Sequence, residues 1–282
     1  MKELVVDKKD NNKKIVSVLM HNFNGLHTST VYKALRNKDI KVNDKRIHDN
    51  VTVFEGDTIC IYIKDDLLFL SYSIIYEDIN ILIVNKPKGI EIISETSPNC
   101  LKSVLEDDLK CQLFPCHRLD LNTSGLVIFA KNLEALNILK EKFKNNEISK
   151  FYLCDVIGLL EKKEATLEAY LFKDSKKSIS YISNQIKPGY KKIITSYKVI
   201  KEDFKKNIST LEVELHTGRT HQIRAHLSYI GHPIVGDGKY GINDVNKKFN
   251  KKSQELLAYK LIFNFKSDSS ILNYLNNKTF TV

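Results

Sequence analysis

A short polar segment, HRLDLNTSG at residues 117–125, holds the residues best suited to chemistry. It comes directly before an apolar stretch, Leu126–Phe129, which predicts a β-strand. Because the start of a strand is rigid, a carboxylate just before it can be held accurately while its oxygens stay open to a cleft. Asp120 is therefore a candidate catalytic carboxylate. The alternative at this point is an ordinary Asx turn, formed with the Asn, Thr and Ser that follow it.

Two further segments supply candidate partners for this carboxylate. KFY at residues 150–152 places the phenol of Tyr152 at the start of a predicted strand, and LHTGRTHQIRAHL at residues 215–227 predicts a helix with Thr220 as its N-cap. An apolar stripe on this helix leaves two polar faces, one with Arg219, Gln222 and His226 and the other with His221, Arg224 and Ser228. Two polar faces on a short helix indicate that both meet partners. An arginine that pairs with Asp120 would keep the carboxylate ionised and oriented.

The composition excludes several classes of protein. Of the 282 residues 42% are hydrophobic, which is enough for a packed core and argues against a disordered chain. No apolar run reaches about 18 residues, so we expect no membrane-spanning helix and no membrane partner. The first residues, MKELVVDKK, leave no room for the apolar stretch of a signal peptide. We therefore expect a cytoplasmic protein.

The motifs of nucleotide and metal sites are also absent from the sequence. Neither GxxxxGK[ST] nor GxGxxG is present, and the five cysteines form no CxxC pair and are expected to be reduced. His216, His221 and His226 are spaced by five residues and so do not share one helical face. We therefore expect no cofactor and no metal. The formal net charge of +10 favours a polyanion as partner, and we expect a monomer.

Residues 1–64 are predicted to form a separate small module. The pattern predicts helices over Ile15–Met20 and from Thr30 to about Arg36, a strand over Ile40–Val42 and a second strand over Asp57–Ile63. Basic residues crowd the second helix and the first strand, among them Lys33, Arg36, Lys38 and Lys41. As a set they predict a face that contacts phosphates, whereas each lysine alone would fit an ordinary polar surface.

The segments STVYKALRNKDIKVNDKRI and FEGDTICIYI of this module resemble the small alpha-L RNA-binding motif of a ribosomal protein and several RNA-modifying enzymes. The resemblance covers about a fifth of the chain and implies that the basic helix lies against structured RNA.

Residues 65–282 are predicted to form a second domain of the α+β class. Strands are expected at Ile74–Tyr76, Ile79–Val84, Leu126–Phe129, Tyr152–Ile157, Ser196–Ile200 and Thr210–Leu215, and helices at Leu101–Leu109 and Leu133–Phe143. Because several strands are neighbours in sequence without regular βαβ alternation, we expect a mixed, mostly antiparallel sheet. The polar stretch Asn243–Lys252 is predicted to be a mobile loop.

Four segments together, NKPKG at residues 85–89, HRLDLNTSG, KFY and LHTGRTHQIRAHL…GHPIVGDGKYG, resemble the signature motifs of the RluA-type family of RNA pseudouridine synthases. They occur in the order of the family and span roughly residues 73–263. The resemblance implies a mostly antiparallel sheet with flanking helices and a central cleft. It also implies isomerisation of uridine in structured RNA without cofactor or metal. Family members with the N-terminal module often modify ribosomal RNA, so large-subunit ribosomal RNA is the expected substrate and transfer RNA remains an alternative.

The resemblance also implies roles for individual residues. Asp120 would be the catalytic aspartate, acting as nucleophile or as base, with Arg224 as its basic partner. Tyr152 would stack on the uracil and assist removal of the C5 proton, and Arg118 would help to extract the target nucleotide from the RNA and fill its place. The remaining predicted substrate-binding residues are His117, Arg219, His221 and Gln222.

Two other functions remain open on the sequence alone. One is a catalytically silent RNA-binding or ribosome-assembly protein on the same fold. The other is a hydrolase that uses His117 or His221 with Asp120, although no GxSxG turn is present. One departure from the family is Leu257, where a histidine is usual, and it affects local packing or substrate contact rather than the carboxylate.

Overall fold

The structure, a computed structural model, describes residues 1–26, 28–64, 68–94 and 99–282. The chain divides into two compact units, Met1–Tyr72 with Ile90–Cys111 and Ser73–Gly89 with Gln112–Val282. Residues 90–111 thus cluster with the first unit, although the sequence analysis places them in the second domain. The predicted boundary after residue 64 stays a prediction, since residues 65–67 lie outside the described residues.

The first unit is a small α+β structure. Its helices are α1 (Ile15–Asn22), α2 (Thr28–Arg36), α3 (Leu101–Leu109) and the 3-10 helix Lys8–Asp10. Its strands are β1 (Lys2–Val5), β2 (Lys13–Lys14), β3 (Ile40–Val42), β4 (Lys45–Arg46), β5 (Thr52–Val53) and β6 (Thr58–Ile61). Strands β1-β6-β3-β4 form an antiparallel sheet in this order, and β2 pairs with β5.

Helical spacing explains how α2 is oriented in this unit. Val31, Ala34 and Leu35 are buried in the core with Ile15 of α1 and Ile40 of β3. Lys33 and Arg36 of the same helix are exposed and so lie on its outer face.

The second unit carries the larger sheet. Its strands are β7 (Ser73–Glu77), β8 (Ile81–Lys86), β9 (Phe114–Pro115), β10 (Ser124–Ala130), β11 (Ile148–Ile157), β12 (Glu164–Asp174), β13 (Ile179–Ser183), β14 (Lys191–Asp203), β15 (Ile208–Leu215), β16 (Leu256–Phe263) and β17 (Thr279–Thr281). Its helices are α4 (Leu133–Lys144), α5 (Gln222–Tyr229), α6 (Asn243–Lys248) and the 3-10 helix Ser270–Leu275. Within the described ranges, no helix has both the length and the apolar character needed to cross a bilayer.

The order of strands in this sheet is β13-β12-β14-β15-β11-β16-β10-β8-β7, with β17 beside β16 and β9 beside β10. All of these pairs are antiparallel except β10 with β16. The predicted α+β class with a mostly antiparallel sheet is confirmed. At the parallel pair the chains approach so closely that a Cβ on Gly125 would lie 2.1 Å from the Ala258 carbonyl oxygen, and Gly125 has a φ of +116°. Only glycine fits there without strain.

The core of this unit surrounds β10, which is buried on both faces from Gly125 to Ala130. Leu136 and Leu139 of α4 pack against this strand's side of the sheet. The start of α4 is capped by Asn132, whose side-chain oxygen accepts a hydrogen bond from the Ala135 N–H at 2.8 Å. The loop that precedes β10 is thus attached to a strand that is buried on both faces and is followed by a capped helix.

The prediction of a mobile loop over Asn243–Lys252 is wrong, because its first part is the helix α6. Asn246 of this helix is buried and accepts a hydrogen bond from the Gly236 N–H at 2.7 Å. Its Nδ2 donates to the Asp237 carbonyl at 3.1 Å. Hydrogen bonds of a buried amide hold this segment, and such contacts leave no apolar periodicity in the sequence.

Candidate active site

A cavity of about 460 Å³ opens on the second unit. Its walls come from the loop before β10, the C-terminal half of α4, the first residues of β11, and residues 215–224. The predicted catalytic residues Asp120, Tyr152 and Arg224 all line it. The predicted substrate-binding residues line it too, namely His117, Arg118, Arg219, His221 and Gln222. Segments more than 100 residues apart in sequence therefore meet at one site.

Asp120 and Arg224 form the ion pair that the family resemblance implied. Arg224 Nη1 donates to Asp120 Oδ2 at 2.9 Å. The Asp120 side chain is 20% exposed and that of Arg224 only 6%, so the carboxylate faces the cavity while the guanidinium lies behind it. No described residue donates a hydrogen bond to Asp120 Oδ1. One carboxylate oxygen is thus held in place, and the other is available to a ligand.

A second carboxylate, Asp237, holds Arg224 from the other side. Arg224 Nε donates to Asp237 Oδ2 at 2.7 Å and Nη2 donates to Oδ1 at 3.0 Å. Asp237 is fully buried. Burial acts to raise its pKa, but the Arg224 guanidinium and the backbone N–H groups of Lys239 and Tyr240 outweigh this effect and lower it. The guanidinium is therefore fixed by a bidentate pair before it contacts Asp120.

The loop that carries Asp120 is tied down by the NKPKG segment. Lys86 is fully buried, and its Nζ donates to the Leu121 carbonyl at 3.0 Å. The Gly89 N–H donates to the same carbonyl at 2.9 Å. Burial lowers the pKa of Lys86 to about 8, although the negative charge of Asp120 acts to raise it. The NKPKG segment thus holds the loop that carries Asp120 in place, and its own residues do not line the cavity.

Tyr152 forms a wall of the cavity and is 6% exposed. Burial raises the pKa of its phenol, and the negative charge of Asp120 raises it further. The phenol is consequently neutral at pH 7 and offers a flat ring and an O–H group to the cavity.

Polar contacts of Gln222 and His226 hold α5 against strand β14 of the sheet. Gln222 Nε2 donates to the Ile194 carbonyl at 3.1 Å and to Thr195 Oγ1 at 3.0 Å, and the His226 ring lies 3.1 Å from the same Thr195 hydroxyl. Gln222 Oε1 accepts from the Arg219 N–H at 3.1 Å. These contacts use the whole Gln222 amide to position the helix, while its predicted contact with substrate stays a prediction.

The expected cap at Thr220 is wrong, since α5 begins at Gln222 after His221. His221 adopts a left-handed conformation with φ 56° and makes no side-chain cap. This turn directs its ring towards the carboxylate, with Nε2 3.9 Å from Asp120 Oδ2. Nδ1 lies 2.9 Å from the Tyr240 hydroxyl.

Tyr240 contacts this ring at Nδ1, the nitrogen that does not face Asp120. The Ser180 N–H donates to the Tyr240 hydroxyl oxygen at 2.7 Å, which leaves the O–H able to donate to His221 Nδ1. A neutral imidazole that accepts this hydrogen bond carries its proton on Nε2, which faces Asp120. Burial lowers the pKa of His221, while Asp120 acts to raise it. The ring of Tyr240 also lies 5.3 Å from the Arg224 guanidinium.

The other predicted site residues differ in how they are held. Arg118 and Arg219 are exposed at the cavity, and no described carboxylate lies within ion-pair distance of either. His117 is largely enclosed: its Nε2 accepts the Ile128 N–H at 3.1 Å, and its ring packs at 5.0 Å from that of Phe143. Burial lowers the pKa of His117 to about 3, with the charge of Lys150 acting in the same direction. This imidazole is therefore a neutral acceptor in the wall.

The three histidines of residues 216–226 have separate partners. The nearest hydroxyl to His216 is that of Ser196 at 2.8 Å, whereas His226 contacts Thr195 and His221 contacts Tyr240. Across the described part of the chain, no three His, Cys, Asp or Glu side chains are grouped as metal ligands would be.

Leu257, at the position where the family usually has histidine, lies on β16 between Leu256 and Ala258, which are both buried. Leu256 lines the cavity. Since successive side chains of a strand point to opposite faces, Leu257 points away from the cavity. The departure therefore concerns packing on the far face of the sheet.

The basic residues of the first unit form a surface of their own. Lys33, Arg36 and Lys38 are exposed and Lys41 is half-buried. Lys41 and Arg46 lie 5.7 and 5.3 Å from the centre of the Tyr62 ring, which is 40% exposed.

Sequence reasoning missed Asp237 and Tyr240. Both belong to the segment GHPIVGDGKYG, which was matched to the family without a role for either residue. An acidic residue two positions before a lysine is typical of a solvent-exposed segment. The signal in the sequence was the pair of glycines around Asp237, and the structure shows why the first is needed: Gly236 has φ +83°, and a Cβ would lie 2.1 Å from the Ser253 carbonyl oxygen.

The family model, the relatives and the solved structure compared with this chain below are all described as pseudouridine or pseudouridylate synthases. A family model described as RNA pseudouridylate synthase matches residues 80–229. An uncharacterized RNA pseudouridine synthase of Mycoplasma capricolum is 34% identical over 99% of this chain and 96% of its own length. The ribosomal large subunit pseudouridine synthase C of Buchnera aphidicola is 32% identical over 91% of this chain and 86% of its own. Among solved structures, human RNA pseudouridylate synthase domain containing 1 is 26% identical, with a TM-score of 0.61 over 70% of this chain and 80% of that chain.

Proposed function

Because this chain belongs to the RluA-type family of RNA pseudouridine synthases, we propose that it isomerises specific uridines of large-subunit ribosomal RNA with Asp120 as the catalytic carboxylate. The choice of ribosomal RNA is supported by relatives that are named as ribosomal large subunit pseudouridine synthases, such as the Buchnera enzyme. We also propose that the protein is cytoplasmic and monomeric.

One observation carries the assignment of the site: Asp120 has one oxygen bonded to Arg224 at 2.9 Å, and its partly exposed side chain lines a cavity that Tyr152 also lines. Pseudouridine formation breaks the N1–C1′ bond and rejoins the uracil through C5. A carboxylate can serve this reaction as nucleophile or base only if an oxygen is accessible. Arg224 and Asp237 keep that oxygen in a constant position, which reduces the entropic cost of reaching the reactive geometry.

The cavity suits a nucleoside taken out of the RNA stack. Its volume of about 460 Å³ lies within the range of small-ligand sites. Extracting a nucleotide costs a few kcal/mol, and an exposed cation such as Arg118 offsets part of this cost beside displaced phosphates and bases. Tyr152 then supplies the stacking face for the detached uracil. Because its phenol is neutral, we assign it stacking and hydrogen bonding ahead of proton abstraction.

The first unit contributes RNA affinity in this proposal. Its exposed basic residues Lys33, Arg36 and Lys38 are joined by Lys41, and Tyr62 offers an aromatic surface between two cations. Cations with an interleaved aromatic ring are the pattern of nucleic-acid contact.

The test is a comparison of Asp120→Asn with the wild-type chain. In cells that lack the protein, wild type should restore pseudouridines at specific positions of large-subunit ribosomal RNA, mapped by chemical probing, and Asp120→Asn should restore none. A matched control is Asp244→Asn, because the Asp244 side chain is 94% exposed and outside the cavity. Restoration by Asp120→Asn would refute the catalytic role, and pseudouridines confined to transfer RNA would refute the substrate. A catalytically silent protein would leave all positions unchanged even as wild type.

A further inference from the structure

We propose that Lys140, Lys144 and Lys150, here called the lysine wall, bind the phosphates that flank the extruded uridine and so hold the RNA strand at the cavity. The inference rests on the proposed function and deepens it, because it names the part of the RNA that one wall of the cavity contacts.

The three lysines come together from two elements. Lys140 and Lys144 are four residues apart on α4 and therefore lie on one face of the helix, and both line the cavity. Lys150 precedes Tyr152 by two residues on β11, so the two side chains point to the same side of the strand. The lysine wall thus stands directly beside the ring proposed to stack on uracil.

The charges lining the cavity are strongly unbalanced. Its cationic side chains are the lysine wall with Arg118, Arg219 and Arg224, whereas Asp120 is the one carboxylate among the described residues that line it. That carboxylate is already paired with Arg224. Among the described residues, moreover, no carboxylate lies within ion-pair distance of any lysine of the wall. The cavity therefore has an unmatched positive potential that attracts anions.

Local structure alone does not account for this arrangement. Two like charges one turn apart destabilise a helix, as Lys140 and Lys144 do here. The helix dipole favours Lys144 near the C-terminus but has little effect on Lys140 a turn earlier. Lys150 is half-buried, and its Nζ lies 5.4 Å from the centre of the Phe143 ring. Burial lowers the pKa of Lys150, so its charge is kept at a cost that no neighbouring carboxylate offsets.

A phosphodiester matches the position of the wall better than a free anion would. A base stacked on Tyr152 places its own ribose and phosphates within a few ångströms, and residues two apart on a strand are separated by only about 6.5 Å. Lys150 is therefore close enough to contact a phosphate adjacent to the target. Lys140 and Lys144, along α4, would contact the next phosphates of the same strand.

The experiment measures how RNA binding depends on salt. The variants are Lys140→Gln/Lys144→Gln, Lys150→Gln and the charge-preserving Lys150→Arg. The matched control is Lys201→Gln/Lys205→Gln, which removes two exposed charges near the turn between β14 and β15, at the end of β15 away from the cavity-lining Leu215. The probe is transcribed large-subunit ribosomal RNA, with filter binding measured at several salt concentrations and tritium release from C5 measured in single turnovers at saturating protein.

Each lost contact to single-stranded RNA should reduce the slope of log K against log salt by about 0.7, so the α4 double variant should reduce it by about 1.4. Lys150→Gln should reduce the slope by about 0.7, and Lys150→Arg and the control should leave it unchanged. The saturating rate of the control should equal that of wild type. Equal slopes for the α4 variant and wild type, or an equal loss in the control, would overturn the proposal. A lower saturating rate with unchanged affinity would also overturn it. If wild type binds the RNA but releases no tritium, the proposed function has failed, whereas the binding comparison still decides the role of the lysines.

Discussion

Replacing Asp237 by Asn is the sharpest test of how the site is held together. Asp237 does not face the cavity, yet it makes two of the three hydrogen bonds to the Arg224 side chain. Asn has one acceptor, and its NH2 group would confront a guanidinium N–H. The substitution therefore leaves a buried cation with Asp120 as its one carboxylate partner.

The expected loss is large because both groups are buried. The side chains are 6% exposed at Arg224 and 0% at Asp237, where water cannot replace the lost partner. Removing one member of such a pair costs about 3–5 kcal/mol of unfolding free energy. A guanidinium no longer fixed from behind would let Asp120 move, and a displacement of about 1 Å reduces a catalytic rate on the order of 100-fold.

Urea unfolding followed by tyrosine fluorescence and circular dichroism measures the first effect, and single-turnover tritium release measures the second. The variants are Asp237→Asn, Arg224→Gln and the double variant, in which two neutral amides face each other. The double variant should be less destabilised than the sum of the single variants, because neither member of the buried Arg224–Asp237 pair is then left charged without the other. Additive losses, or a loss below about 1 kcal/mol in Asp237→Asn, would refute the reasoning.

Two further predictions concern titrating groups. Glu147 forms a buried pair with Lys142 at 2.9 Å, and its pKa is lowered to about 2, mainly by the hydrogen bond from Lys142 and against the effect of burial. Because the folded pKa lies below the unfolded one, the stabilisation is complete above about pH 4.5 and is lost as the pH falls towards 2. Glu147→Gln should therefore flatten the decline of the unfolding free energy over this range in urea titrations, and identical declines would contradict this. For His221, the lowered pKa and the proton on Nε2 predict that His221→Gln, which retains an N–H near Asp120, keeps most of the single-turnover rate at pH 7.5 while His221→Ala does not. Equal rates of the two variants would disprove this role of the ring.

The sequence was most informative where the helical or strand period and the chemistry of the side chains indicated the same residue. The helical period predicted a polar face that carries Arg224, the family resemblance implied that this residue pairs with Asp120, and the structure shows the pair. The α+β class followed from strands that neighbour one another in sequence. The same reasoning was wrong for Asn243–Lys252, because α6 is held by the buried amide of Asn246 rather than by apolar periodicity.

Motifs and periodicity thus determined the family, the fold class and the identity of the candidate carboxylate, since these depend on residue types at short spacings. The tertiary structure alone decided that Asp237 fixes Arg224, that the Tyr240 hydroxyl lies beside His221, and that lysines of α4 and β11 line the same cavity. In each of these cases, the spacing of the residues in the sequence does not show that they lie close together in the folded chain. The physical reason is that burial and the path of the sheet, which no short segment specifies, decide which polar groups must find a partner.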